Sequence, residues 1–192
     1  MKIKITRRRI IFLVLLILSI LLIATIFPNI PWPVYSVNYY GATMGFRANL
    51  RDAKNVPVYP NEEIVYREIM NPLVENITIA FKPGTEQENA YDAVETFEIV
   101  NKLAIAFSKT LGYIPSFNVI NVTSYDGLQG KIRNPIITLV NPNYSNETSV
   151  RLDDHVIFIT GKNSTDSKEQ LKNFDLAVIK FLMVALEIRI NH

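Results

Sequence analysis

The chain has 192 residues, 48% of them hydrophobic, with 20 Lys+Arg against 18 Asp+Glu, two His and no Cys. That length suits one ordinary domain, and the apolar fraction is too high for a disordered chain. The absence of Cys excludes disulfides, iron–sulfur clusters, Cys-based zinc sites and cysteine nucleophiles.

The first nine residues carry Lys2, Lys4, Arg7, Arg8 and Arg9 and no acid. Ile10 to Phe27 follow as an apolar run broken only by Ser19 and Thr25. Eighteen residues at ~1.5 Å each span about 27 Å, close to the thickness of a bilayer's hydrocarbon core. The run has no polar face, unlike a helix at a globular surface. It exceeds the usual apolar core of a signal peptide, and Ala24-Thr25-Ile26-Phe27 offers no small-x-small cleavage pattern. The expectation is therefore an uncleaved transmembrane helix over 10–27. The basic flank places residues 1–9 in the cytoplasm and everything after the span outside. Pro28, Pro31 and Pro33 make 28–35 a juxtamembrane spacer, and Trp32 and Tyr35 suit the headgroup layer. The domain proper is then 36–192.

Charge divides along the same line. Without the five N-terminal cations, 15 Lys+Arg face 18 Asp+Glu, a balance of −3. The basic character belongs to the stub, so no nucleic-acid partner is expected. Five N-x-[ST] sequons follow the span, at Asn76, Asn121, Asn143, Asn146 and Asn163. The last three fall in predicted loops, where glycan acceptors of an exported domain belong. Asn76 and Asn121 border predicted strands and fit that role less well.

In chain order, Met44 to Leu50 reads as extended. Val56 to Tyr59 is at most an edge strand, because Pro57 cannot donate to a ladder. Asn61 can cap a helix over Glu62 to Met70, which Asn71-Pro72 stops. Ile77 to Phe81 reads as a strand and Pro83-Gly84 as a turn. Thr85 and Glu88 make a capping box for a helix whose apolar residues Ala90, Ala93, Val94, Phe97, Val100, Ala104, Phe107 and Leu111 share one face. Gly112 ends it, and Phe117 to Val122 is the next strand, parallel to the first through a right-handed crossover. Pro135 to Val140, Ser149 to Leu152 and Val156 to Thr160 are further strands. Asp166 or Ser167 caps a last helix from about Lys168 to Arg189, largely buried from Leu176. The fold expected for this order is α/β: an N-terminal transmembrane helix, then a small, mostly parallel sheet with helices on both faces, a three-layer, Rossmann-like layout.

The usual catalytic signatures are missing: no H-E-x-x-H, G-x-S-x-G or G-x-G-x-x-G occurs. Gly161-Lys162 resembles the end of a phosphate-binding loop, but Val156 stands where the first glycine belongs, so a strand-to-helix turn is the plainer reading. Asp153-Asp154-His155 is the densest ionisable cluster. Consecutive extended residues alternate faces, which favours a solvated turn over a metal site. No catalytic residue, metal site or cofactor is assigned.

Ligands of open parallel sheets sit at the carboxyl ends of the strands. That rule selects Thr85, Glu88, Asn89, Asp126, Asn141, Lys162 and Asp166 as candidate ligand-binding residues. The expected function is a non-enzymatic interaction or scaffolding protein of the cell envelope. Its partners would be the bilayer through 10–27 and an envelope protein or glycan. Two alternatives stand beside it: a membrane-tethered carboxylate-type hydrolase acting on envelope polymers, and a ligand-binding module. The hydrolase needs Glu88, Asp126 and Asp166 to converge on one point.

Overall fold

A computed structural model describes residues 35–189. The stub 1–9, the apolar run 10–27 and residues 28–34 of the spacer lie outside the described residues. No helix among the described residues is long and apolar enough to cross a membrane.

The chain enters with a hairpin, β1 (Tyr35–Tyr39) and β2 (Ala42–Phe46), closed by Tyr40 and Gly41, both at positive φ. Asn49 accepts from the backbone N–H of Arg51 to start the short α1 (Leu50–Ala53). Then come β3 (Val58–Tyr59), α2 (Glu62–Ile69), β4 (Asn76–Phe81), α3 (Glu86–Thr110) and β5 (Ser116–Asn121). After a 122–135 loop follow β6 (Ile136–Val140), β7 (Ser149–Asp153), β8 (Val156–Thr160) and α4 (Ser167–Ala185). The expected elements from Asn61 onward are all present, within a few residues. Met44 to Leu50 is extended only to Phe46, because Asn49 diverts the chain into α1.

Six strands form the main sheet in the order β3-β7-β8-β6-β4-β5. All neighbouring pairs are parallel except β7 and β8. That exception comes from the turn between them. Asp154 and His155 both take positive φ, the conformation of a two-residue hairpin turn matched to strand twist. The acidic cluster at 153–155 is therefore a hairpin tip. His155 Nδ1 lies 2.7 Å from a Glu68 carboxylate oxygen. No group of three or more His, Asp and Glu suited to a metal occurs among the described residues.

The layering corrects the three-layer expectation. One continuous core joins Leu50 of α1, Val65 of α2, Leu103 of α3 and Phe181 of α4 to Ile79, Ile137 and Ile157 of the sheet. All four helices thus share one face. The opposite face holds a small separate cluster, Ala80, Ile136 and Val156, packed against Val122, Leu128 and Phe158. No helix contributes to it. Right-handed crossovers explain this. The step from β4 outward to β5 carries α3 over one face. The return step from β5 past β4 to β6 must lie on the other face, and there the sequence supplies only the loop 122–135. β6 then reaches β8 through the antiparallel β7, which needs no crossover helix.

Glycine marks two close approaches of backbone to backbone. A Cβ on Gly161 would sit 2.7 Å from the Phe174 backbone, where α4 crosses the end of β8. That contact accounts for the glycine of Gly161-Lys162 as packing within a strand-to-helix turn. A Cβ on Gly130 would sit 2.2 Å from the His155 carbonyl oxygen, where the loop lies on the hairpin tip.

The expected apolar face of α3 is also corrected. Val94 is 41% and Phe97 71% exposed, while Asp92, Glu95, Thr96 and Glu98 are buried. The hairpin supplies the reason. It delivers Arg47, whose guanidinium contacts Glu95 and Glu98 and lies 3.6 Å from Asp175 of α4. Lys102 reaches Glu98 at 2.6 Å and lies over the buried Phe46 ring at 4.7 Å. Three carboxyls face two cations here. Burial pushes Glu95 well above the ordinary carboxylate range, and a hydrogen bond with Asp175 pushes in the same direction. Glu95 and Glu98 face inward because they meet Arg47 and Lys102 there.

Candidate functional site

β4 leads to β5 on one side and β6 leads to β7 and β8 on the other, so the order reverses between β4 and β6. The carboxyl ends of these two strands open a crevice there, as such switch points do. Thr85 and Glu88 come from the start of α3, Asn141 and Pro142 from the end of β6, and Gln170 and Leu171 from the first turn of α4. The cavity measures about 140 Å³. It is smaller than the pockets that enclose drug-sized ligands and suits waters or one small polar group.

Its polar groups form a chain. The Thr85 backbone N–H donates to Glu88 Oε2 at 2.7 Å, and the Glu88 N–H donates back to Thr85 Oγ1 at 3.3 Å. This is the expected capping box, worth about 1 kcal/mol. Asn143 Nδ2 donates to Glu88 Oε1 at 2.7 Å, and Gln170 Nε2 donates to Asn143 Oδ1 at 2.9 Å. The Asn141 side chain accepts from the Asn143 backbone N–H at 2.9 Å. Asn141 and the Thr85 backbone N–H, in that order, hold the Glu88 carboxyl below its ordinary pKa. Glu88 is thus an ionised structural acceptor that ties two helix starts to one loop.

Of the seven candidate residues, the structure brings Thr85, Glu88 and Asn141 together. Asn89 braces the turn below, accepting from Gly84 N–H at 2.9 Å and donating to Gly84 C=O at 3.2 Å. Asp126 closes a local turn with Ser124. Asp166 caps α4 through the Lys168 N–H at 2.9 Å. Lys162 contributes backbone contacts, its N–H to Thr148 Oγ1 and its C=O from Asn173. Among the described residues Glu88, Asp126 and Asp166 sit in three separate local networks, so the structure does not bring together the three acids that the carboxylate-hydrolase alternative names. The strand-end rule picked Thr85, Glu88 and Asn141; Asn143 was marked only as a sequon, and Gln170 carried no signal.

A second concavity lies on the helix-free face of the sheet. The register sets Tyr59 beside Arg151 and Arg151 beside Phe158, in one row across β3, β7 and β8. Tyr125 and Tyr144 rise from the loops above, and the groove they wall measures about 420 Å³. Tyr125 is fixed from both sides of its hydroxyl, which donates to Leu139 C=O at 3.2 Å and accepts from Asn141 N–H at 3.1 Å. Its ring meets that of Tyr144 edge to face at 6.2 Å. The segment 141–148 forms a wall of both cavities.

The sequons separate by geometry. Asn143 commits both ends of its amide to the crevice chain, so a sugar there would compete with Glu88. Asn146 is exposed on the rim of the groove. Asn163 is exposed in the turn before α4, its backbone N–H bonded to Ser145 C=O at 2.9 Å.

No protein family, curated protein or solved structure matches this chain.

Proposed function

We propose that the chain is a single-pass membrane protein that displays a non-enzymatic α/β interaction domain outside the cell, in the cell envelope. The apolar run 10–27 and its basic flank carry the placement: the stub inside, the bilayer as first partner, and 36–192 outside. One observation carries the non-enzymatic reading. The acid at the switch point, Glu88, is held ionised by fixed amide and hydroxyl groups, and the acid it acts on, Asp92 one turn along the helix, is buried and does not line the crevice. Such a site holds a ligand or a loop; acid–base catalysis needs a pair of groups with separated pKa values that both reach the substrate, and only Glu88 lines this crevice. Binding an envelope protein or glycan is the role left to the polar carboxyl edge.

Protease treatment of intact cells expressing the full chain tests the placement. Digestion of 36–192 with survival of the stub is expected, and survival of the whole chain would contradict it. Crosslinking in intact envelopes tests the role. A specific adduct is expected for the wild type and is weakened in Glu88→Ala, which unties the 141–148 wall. Turnover of envelope polymer by purified full-length protein, lost in Glu88→Gln, would overturn the non-enzymatic reading.

A further inference from the structure

We infer that the groove on the helix-free face is a binding site for an acidic saccharide, a sugar ring carrying a carboxylate. The inference rests on the described domain alone and holds whichever way the chain is placed in the membrane.

Successive side chains of a strand point to opposite faces, so Ile157 and Ile159 commit β8 to the helix side and Phe158 to the other. Val150 does the same for β7 and leaves Arg151 beside Phe158. A face with no helix over it would ordinarily be polar. This one carries aromatic rings instead. Tyr59 is 43% and Tyr144 60% exposed, large rings that the fold itself does not bury. Together with Tyr125 and Phe158 they wall a groove three times the size of the switch-point crevice.

Charge selects the ligand. The Arg151 guanidinium lies 4.9 Å from the Phe158 ring centre, which fixes it over the groove floor. Among the described residues it makes no ion pair, so its fork of donors is open to a partner. Glu147, the acid in the groove lining, accepts from the Tyr59 hydroxyl at 3.0 Å, so the ligand's carboxylate seats at the Arg151 side of the groove. Behind the wall, Lys82 Nζ lies 4.6 Å over the Tyr144 ring. At the groove end the Ser149 and Thr160 hydroxyls, 2.9 Å apart, bond to each other, and Thr160 also reaches the Glu147 and Ser149 carbonyls, while Asn146 stands exposed on the rim.

An apolar ligand would cover Arg151 and leave its charge without a counter-ion, at a cost of desolvation. A nucleic acid would need a basic track, and the chain past the stub has a balance of −3. A sugar with a carboxylate satisfies each element. Its C–H face stacks on an exposed tyrosine ring, its carboxylate pairs with the arginine fork, and its hydroxyls meet Asn146 on the rim.

The test is calorimetric titration of the full chain in detergent micelles with a galacturonic acid trimer. Maltotriose serves as the neutral ring and citrate as the anion without a ring. Saturable binding of the trimer is expected, with maltotriose and citrate each at least about tenfold weaker, the factor that one charge-assisted contact or one stacked ring supplies. Arg151→Gln and Tyr144→Ala should each weaken binding about tenfold or more, and Arg151→Lys less than Arg151→Gln, because the charge stays while the fork is lost. Thermal melts of each variant separate lost binding from lost folding; with Arg151→Lys folded, its intermediate affinity alone carries the test. Lys109→Gln, an exposed cation on α3, should bind like the wild type. The inference falls if the trimer shows no saturable binding, if citrate binds as well as the trimer, or if Lys109→Gln loses as much as Arg151→Gln.

Discussion

The two faces of the sheet are built from the same strands and do different work. The helix face takes Ile79, Ile137, Leu139, Ile157 and Ile159 into one core with all four helices. The open face has a small cluster of three buried apolar residues, a loop over part of it and an aromatic groove over the rest. Alternation along a strand fixes which residue goes to which face; the hand of the connections fixes which face receives a helix. The lesson is that stability and surface chemistry are separated by a single residue step along β8.

The contrast is broken hardest from the helix side. Ile157→Ala should cost about 3–4 kcal/mol in urea unfolding, since the cavity it leaves lies between α4 and the sheet. A loss under about 1 kcal/mol would mean that the helix layer is loosely packed. Gly130→Ala probes the other face. The added methyl meets the His155 carbonyl, and a loss of about 1–3 kcal/mol is expected, with faster amide exchange in 122–135. An unchanged melting temperature would show that the loop does not sit closely on the hairpin.

Asp92 sharpens the account of α3. Burial, with the Glu88 carboxylate next in importance, pushes Asp92 up to about 7. The folded chain therefore holds a proton that the unfolded chain, with an ordinary value of about 3.9, releases. This contribution to stability is full below pH 4 and is lost as pH rises through 7. Asp92→Asn should match the wild type near pH 4 and exceed it by roughly 2–4 kcal/mol at pH 8. Equal pH profiles in thermal melts of the two proteins would contradict the burial of this carboxyl. The smallest effect belongs to Thr138, fully buried on the open side of β6 with a hydroxyl that has no hydrogen-bond partner among the described residues. Thr138→Val removes that polar atom and should stabilise by about 1 kcal/mol in urea unfolding; a loss of stability would mean that the hydroxyl is satisfied in solution.

Much of the fold was legible from the residues. Thr85 and Glu88 announced a helix start, Gly112 its end, and the runs at 77–81, 136–140 and 156–160 announced buried strands. The layering was not, because it depends on whether the return from β5 to β6 contains a helix, and on a turn. Asp154-His155 between two strands is a two-residue turn; it makes β7 antiparallel and removes the crossover that a second helix layer needs. The inward face of α3 was hidden for another reason. Periodicity counts Glu95 and Glu98 as solvent-facing, and only the long-range partner Arg47 brings them inside. At the site, the switch-point rule located Thr85, Glu88 and Asn141, whose positions follow from strand and cap. The groove residues Tyr59, Arg151 and Phe158 meet only through the register of three strands, which no local pattern encodes.

The division of labour between the faces is tested most directly by mapping backbone amide shifts of the full chain in micelles as the galacturonic acid trimer is added. The account predicts shifts concentrated at Tyr59, Tyr125, Tyr144, Arg151 and Phe158, with the helix-side residues Ile99, Leu103 and Phe181 unmoved. Shifts centred on Thr85, Glu88 and Gln170, or spread evenly over the domain, would contradict it.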